Sequence, residues 1–178
     1  MEQNLPEGLK RSVEFHGHLC GGLVVGYRAA LAIQEELGIG RAEDEEVAAA
    51  VENDTCAVDA LQVLLGCTFG KGNLFFSDYG KMAFTVWNRA KGRGVRISRR
   101  IGTRGMPVEE MLAMKTEDLF RIEPAAGEPP PQARIRDSEP CAACGEPTMV
   151  TRLVETARGK LCRPCSEAKP KAEGQRMS

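Results

Sequence analysis

Three features of the chain predict an α+β fold, in which a mixed helix and strand core domain precedes a small cysteine-stapled module. Residues 1–123 carry helical and strand periodicities in irregular order. Residues 124–140 lose all periodicity and accumulate prolines, and residues 141–178 hold two Cys-x-x-Cys pairs. A repeating βαβ fold would alternate more regularly, so the core is assigned to α+β.

The elements follow in order. Over residues 19–37 apolar side chains recur at helical spacing, among them Leu23, Tyr27, Ala30, Leu31 and Leu37, and Gly38 stands where a helix end favours a left-handed residue. Gly22 and Gly26 lie one turn apart on this helix. Glycine inside a helix costs about 1 kcal/mol against alanine, so the pair signals close approach by a neighbour or ligand. Val47–Val51 reads as a short buried strand. Asp54 suits the N-cap of a helix over residues 55–65, closed by Gly66. Residues 74–76, 83–87 and 95–98 read as further strands between Gly- and Asp-containing turns. Pro107 suits the first position of a helix over residues 108–114. The stretch 124–140, with three consecutive prolines, reads as a semi-rigid linker.

A chain of 178 residues with 42% hydrophobic content suits one medium domain plus a module, and its net charge of -1 excludes a globally basic nucleic-acid binder. No apolar run approaches the roughly 20 residues of a membrane span. The start, MEQNLPEGLKR, has no apolar secretion signal, so the expected location is the cytoplasm. Thiols are reduced there, and seven cysteines then point to metal ligands or reactive groups rather than disulfides.

Four of them form the terminal module. Cys141 and Cys144 precede Cys162 and Cys165 with 17 residues between the pairs. Zinc takes four such thiolates in a tetrahedron, with sulfur at about 2.3 Å. Gly145 gives the first knuckle its turn, residues 148–156 are rich in β-branched side chains, and residues 157–160 can reverse the chain into a hairpin. A short helix can begin after Cys162. Knuckle, hairpin and helix together resemble a treble-clef zinc finger. Four thiolates leave no open position, so the zinc is expected to be structural, stabilising a module of roughly 40 residues that is too small for a sufficient core.

Both histidines fall in Phe15-His16-Gly17-His18-Leu19-Cys20. On an extended segment residues 16, 18 and 20 share one face. Imidazole and thiolate suit zinc, nickel, copper or iron, which makes His16, His18 and Cys20 candidate ligands. A helix opening after Cys20 would favour its thiolate, and His18 could serve it as acid–base. The plainer reading is a helix cap and a packed thiol.

A second cluster runs from Glu52 through Asn53, Asp54, Thr55 and Cys56, with Asp59 one turn on and Cys67 past the helix. Polar groups at the end of a strand meet the amides of the following helix, so Cys56 and Asp59 are candidates for catalysis, and Asn53, Asp54 and Cys67 for cofactor binding. They equally fit an N-cap and two small core residues. The segment GCTFGKGN is no phosphate loop: it has three residues before Gly-Lys instead of four, and Gly72 replaces the hydroxyl. Its turn offers Lys71 to an anion. Residues 89–104 are basic throughout, suited to phosphate or to a solvated hairpin. They lack the aromatics that base stacking uses, which ranks nucleic acid last among partners.

Together, FHGHLCGGLVVGYRAA, ENDTCAVDALQVLLGCTFGKGNL and FSDYGKMAF resemble the FmdE family, named for formylmethanofuran dehydrogenase, over most of residues 10–120. Gly21 stands where the family's HGHxC segment is usually followed by proline. The resemblance implies an α+β core paired as a homodimer, sometimes with a C-terminal treble-clef finger. It also implies a metal or active site drawn from His16, His18, Cys20, Asn53, Asp54, Cys56, Asp59 and Cys67. The implied role is a metal-binding subunit or accessory protein for molybdenum or tungsten one-carbon enzymes of the methanogenic type, with a second transition metal (zinc, nickel or iron) in the core. The chain is too small to be the catalytic subunit itself, and beyond the finger it lacks cysteines for an iron–sulfur cluster. A stand-alone metal- or thiolate-dependent enzyme is the alternative, followed by a zinc-finger nucleic-acid regulator.

Overall fold

The glycine-rich start and apolar stripe of helix α2 (Gly21–Leu37) place it at the centre of the larger unit in the computed structural model, which describes residues 5–168. Leu23, Val24, Val25, Ala29, Ala30 and Ile33 are fully buried on α2. Truncating any one of its larger apolar side chains to alanine costs about 2–5 kcal/mol. Helix α1 (Glu7–His16) and helix α3 (Ala57–Leu65) pack against α2. Strands β1 (Val47–Val51), β2 (Leu74–Phe76), β3 (Ala83–Asn88), β4 (Arg93–Arg99) and β5 (Phe120–Pro124) form one sheet in the order β2-β1-β3-β4-β5. The β1–β2 pair is parallel, with α3 in its crossover, and the other pairs are antiparallel. Phe84, Val86, Val95 and Ile97 meet the helices in the same buried cluster as Leu23, Ile33, Leu61 and Leu65. This is the α+β core that the sequence predicts.

Several boundaries differ, for local reasons. Helix α1 is absent from the sequence reading because Leu9 and Val13 are its main core contacts and its last turns are largely polar or exposed. Cys20 is extended (φ -144, ψ 162) and α2 opens directly after it at Gly21, as the sequence predicts. Asp54 does not cap α3. The Asn53 carboxamide oxygen accepts the Thr55 N–H at 3.2 Å and its hydroxyl at 2.7 Å, and the chain enters the helix through Cys56 instead. Helices α4 (Val108–Ala113) and α5 (Thr116–Leu119) follow β4, and Pro107 is the N-cap of α4 rather than its first residue. Arg28 on α2 donates to the carbonyls of Met111, Leu112 and Met114, tying down the end of α4.

The proline-rich stretch is not wholly free chain. Pro124 closes β5, and the Ala125 N–H donates to Gly94 O at 2.9 Å. Gly127 O accepts the Trp87 indole N–H at 3.4 Å, and the Ala133 N–H donates to the Glu45 carboxylate at 2.8 Å. Residues 125–133 therefore run back along the sheet face that carries Trp87.

The chain divides into two compact units, one ending at Ala133 and one beginning at Arg134. In the second, β6 (Ser138–Pro140) pairs with β7 (Pro147–Met149). A 3-10 turn (Val150–Arg152) then leads into the hairpin of β8 (Leu153–Thr156) and β9 (Gly159–Cys162), followed by helix α6 (Arg163–Glu167). The β-branched run 148–156 is thus split between two small sheets by the 3-10 turn. Residues 169–178, expected to end the finger, lie outside the described residues, as do residues 1–4.

Candidate metal centre

Helix α1 ends at His16, and Gly17 (φ +99) reverses the chain in a left-handed conformation that only glycine adopts without strain. The chain then returns so that Cys20 caps α2, its sulfur accepting the Leu23 N–H at 3.4 Å. His16 Nε2 lies 3.9 Å from Cys20 Sγ. Cys56, at the head of α3, completes the group: one donor atom each from His16, Cys20 and Cys56 lies within 4.8 Å of the others. Gly22 allows the approach, since a Cβ there would sit 3.2 Å from Cys56 Cβ and 3.9 Å from Cys20 Sγ.

Asp59 sets the imidazole. Its Oδ2 is 2.7 Å from His16 Nδ1, which fixes the Nδ1–H tautomer and turns Nε2 toward the sulfurs. Burial raises the Cys56 thiol above its ordinary range, and hydrogen bonding with Cys20 raises it further. A cation placed between the sulfurs would favour the Cys56 thiolate against that burial. One imidazole nitrogen and two sulfurs, with a carboxylate on the far ring nitrogen, fit zinc or another borderline-to-soft metal. A metal held by these three donors alone would keep a fourth position for an exogenous ligand.

The remaining sequence candidates fall elsewhere. His18 is exposed, its ring tilted against that of His16 at 4.6 Å between centroids, and it lies outside the donor group. Asp54 is exposed. Asn53 is buried and spends its side chain on the loop, donating to Lys81 O at 2.7 Å as well as accepting from Thr55. Cys67 is fully buried beyond α3, about 14 Å along the helix from Cys56. Its thiol faces Val47 O, and burial pushes it up to about 12, as expected of inert packing. Lys71 Nζ donates to the carbonyls of Ala42, Glu43 and Asp44, at 3.3, 3.1 and 3.3 Å, and so closes a loop instead of facing an anion. The sequence reading missed Met111, whose Cε is 3.2 Å from where a Gly21 Cβ would stand. The glycine in place of the family's proline was its only trace.

In the second unit Cys141, Cys144, Cys162 and Cys165 place their sulfurs within 4.8 Å of one another. Gly145 (φ +77) turns the first knuckle, and α6 carries Cys165 behind the β8–β9 hairpin. The N–H groups of Cys144 and Cys162 draw the Cys141 thiol down to about 6, while hydrogen bonds from Cys162 and Cys144 push Cys165 up to about 12. A four-sulfur set with this knuckle, hairpin and helix order is that of a small zinc finger.

The family model described as "FmdE, Molybdenum formylmethanofuran dehydrogenase operon" matches residues 15–134. A protein of Archaeoglobus fulgidus named "Probable S-adenosyl-L-methionine-binding protein" is 28% identical over 202 residues, covering 93% of this chain and 54% of the relative. The chain therefore spans about half the length of that curated relative. The crystal structure of a tungsten formylmethanofuran dehydrogenase FmdE-like protein from Syntrophus aciditrophicus shares the fold, with a TM-score of 0.68, 23% identity and 93% of each chain covered. Since the family model begins one residue before His16 and takes in Cys20, Cys56 and Asp59 as well as the whole five-stranded sheet, the chain belongs to the FmdE family.

Proposed function

We propose that the core domain binds one transition metal through His16 Nε2, Cys20 Sγ and Cys56 Sγ, as a metal-binding subunit or accessory protein of a molybdenum or tungsten one-carbon enzyme. The convergence of those three donor atoms within 4.8 Å carries this reading. Asp59 holds the imidazole, the head of α2 holds Cys20, and Gly22 lets Cys56 close in. A bound metal would act there as a Lewis acid with room for one outside ligand. The finger supplies a separate structural zinc. The reading places the protein in the cytoplasm, with its core paired as a homodimer; the family resemblance supports the pairing, and the exposed Phe69, Phe76 and Tyr79 around edge strand β2 suit it.

Metal analysis of the full chain tests this. Two metal ions per chain are expected, falling to one in a Cys20→Ser, Cys56→Ser double variant that retains its circular dichroism. A single metal in both proteins would refute the core site. A second reading, a thiolate enzyme, draws on the Asp59–His16–Cys20 line at 2.7 and 3.9 Å. Rapid alkylation of Cys20 in metal-free protein, slowed by His16→Ala, would favour it.

A further inference from the structure

At the loop that leads into Cys56 lies a pocket of about 560 Å³, lined by Asn53, Thr55, Met82, Arg99, Ile101 and Arg104, with Arg100 and two glycines completing its wall. Thr55 directly precedes Cys56. Met111 links Arg99 to the start of α2: its Cε is 3.2 Å from where a Gly21 Cβ would stand and its sulfur is 4.0 Å from an Arg99 nitrogen. We propose that this pocket binds the oxyanion group, carboxylate or phosphate, of a small organic ligand whose other end reaches the fourth position beside His16, Cys20 and Cys56. The substrate class of the site is thereby an organic anion. The assignment rests on the metal reading above for the far end of the ligand, but not for the anion subsite itself.

Three observations carry it. First, Arg99 and Arg104 line one cavity, and among the described residues neither has a carboxylate within ion-pair distance; Arg100, at its wall, turns its Nε to Glu117 O at 2.7 Å and Phe120 O at 3.2 Å instead. The charged side chains that flank the lining in sequence do not neutralise them: Lys81 is itself positive, and Asp54 makes no ion pair among the described residues. In a protein of net charge -1, two unpaired like charges on one wall are a cost that an anion relieves. Second, Arg99 is held in place. Its Nε donates to Thr103 Oγ1 at 2.8 Å and a terminal nitrogen to Thr103 O, while burial and then Arg104 lower its proton affinity. A pinned guanidinium loses little freedom on meeting an oxyanion and presents a planar fork to it. Third, Met82 and Ile101 give the pocket apolar surface, which a bare inorganic ion has no use for and an organic one does. The basic run of residues 89–104 thus divides by role. Arg96 pairs with Glu52 at 2.8 Å across the sheet, Arg89 donates to Glu45 O and Arg100 to Glu117 O, leaving Arg99 and Arg104 for a ligand.

The test is calorimetric titration of the full, zinc-loaded chain with inorganic phosphate and, separately, with acetate. Arg104 is the variant of choice because it makes no hydrogen bond among the described residues whose loss would disturb the fold. Saturable binding, weakened about fivefold or more by Arg104→Gln and unchanged by Arg121→Gln, is expected. Arg121 is exposed and already paired with Glu123. Equal binding in wild type and Arg104→Gln, or no saturable heat, would overturn the proposal. So would binding lost in Cys20→Ser yet kept in Arg104→Gln, because the anion would then sit on the metal; that outcome would leave the metal reading standing. Binding retained in Cys20→Ser and lost in Arg104→Gln supports the pocket even if the core proves metal-free.

Discussion

Asp59 decides which nitrogen of His16 faces the sulfurs. With Oδ2 at 2.7 Å from Nδ1, the ring proton stays on that side and the Nε2 lone pair is left for a cation. Asp59→Asn keeps the shape but loses the charged acceptor, so core metal affinity should fall about 10–100-fold, with stoichiometry intact at saturating metal. Competition against a chromophoric chelator measures this, and unchanged affinity would remove Asp59 from the site. The residue types of this cluster were legible in the sequence; their arrangement was not. Spacing put His16, His18 and Cys20 on one face of an extended strand. In fact His16 ends a helix, Gly17 turns the chain, and residues 16 and 20 meet while His18 faces solvent. The error has a physical source: α1 presents a narrow apolar stripe, and without α1 the turn at Gly17 has no reason to exist. Cys67 shows the opposite limit, since sequence proximity to a cluster says nothing about which end of a helix a thiol occupies.

At the scale of elements, the α2–α3 contact brings Cys20 and Cys56 together, and two glycines set its distance. A Cβ on Gly26 would stand 2.6 Å from the Ala57 carbonyl carbon, against backbone that cannot rotate away. A Cβ on Gly22 would meet Cys56 Cβ at 3.2 Å, which a small shift can relieve. The two substitutions should therefore separate stability from binding. Gly26→Ala should cost about 3 kcal/mol, a fall in Tm of roughly 10 °C. Gly22→Ala should change Tm much less but displace Cys56 from Cys20, cutting core metal affinity about tenfold. Thermal melts paired with metal titrations check both, and equal effects of the two variants on affinity would contradict this division. One-turn spacing of the glycines made close packing legible from sequence, though not its partner. The strands of the sheet were also legible, from apolar runs between turns. Strand β5 and the short α5 were not, because they adjoin the proline-rich stretch whose composition reads as linker.

At the scale of the whole molecule, the two units depend on different sources of stability. The first has one continuous apolar cluster from Leu9 to Phe120. Among the described residues the second has only Cys141, Leu161 and Cys162 buried together, with Cys165 against them, a core that a bound metal would have to complete. Its thiols make that need depend on pH. In the metal-free finger Cys165 is raised to about 12, pushed there first by hydrogen bonding with Cys162. Cys144 is raised as well: sharing with Cys141 and burial outweigh the pull of the Glu146 N–H. Both therefore carry protons at neutral pH, and both must release them when zinc binds. Raised thiol values mean that protons compete with the metal more strongly as pH falls, so zinc affinity should drop at least about a hundredfold for each unit of acidification near neutrality. The measurement is a chelator titration of the full chain at several pH values. It should be followed through two-dimensional NMR of the finger amides and through the fluorescence of Trp87, the single tryptophan, which lies in the first unit. Stripping zinc at mild acidity should collapse the finger signals and leave Trp87 in its buried environment. Loss of both together would show instead that the core cannot stand without the finger's metal.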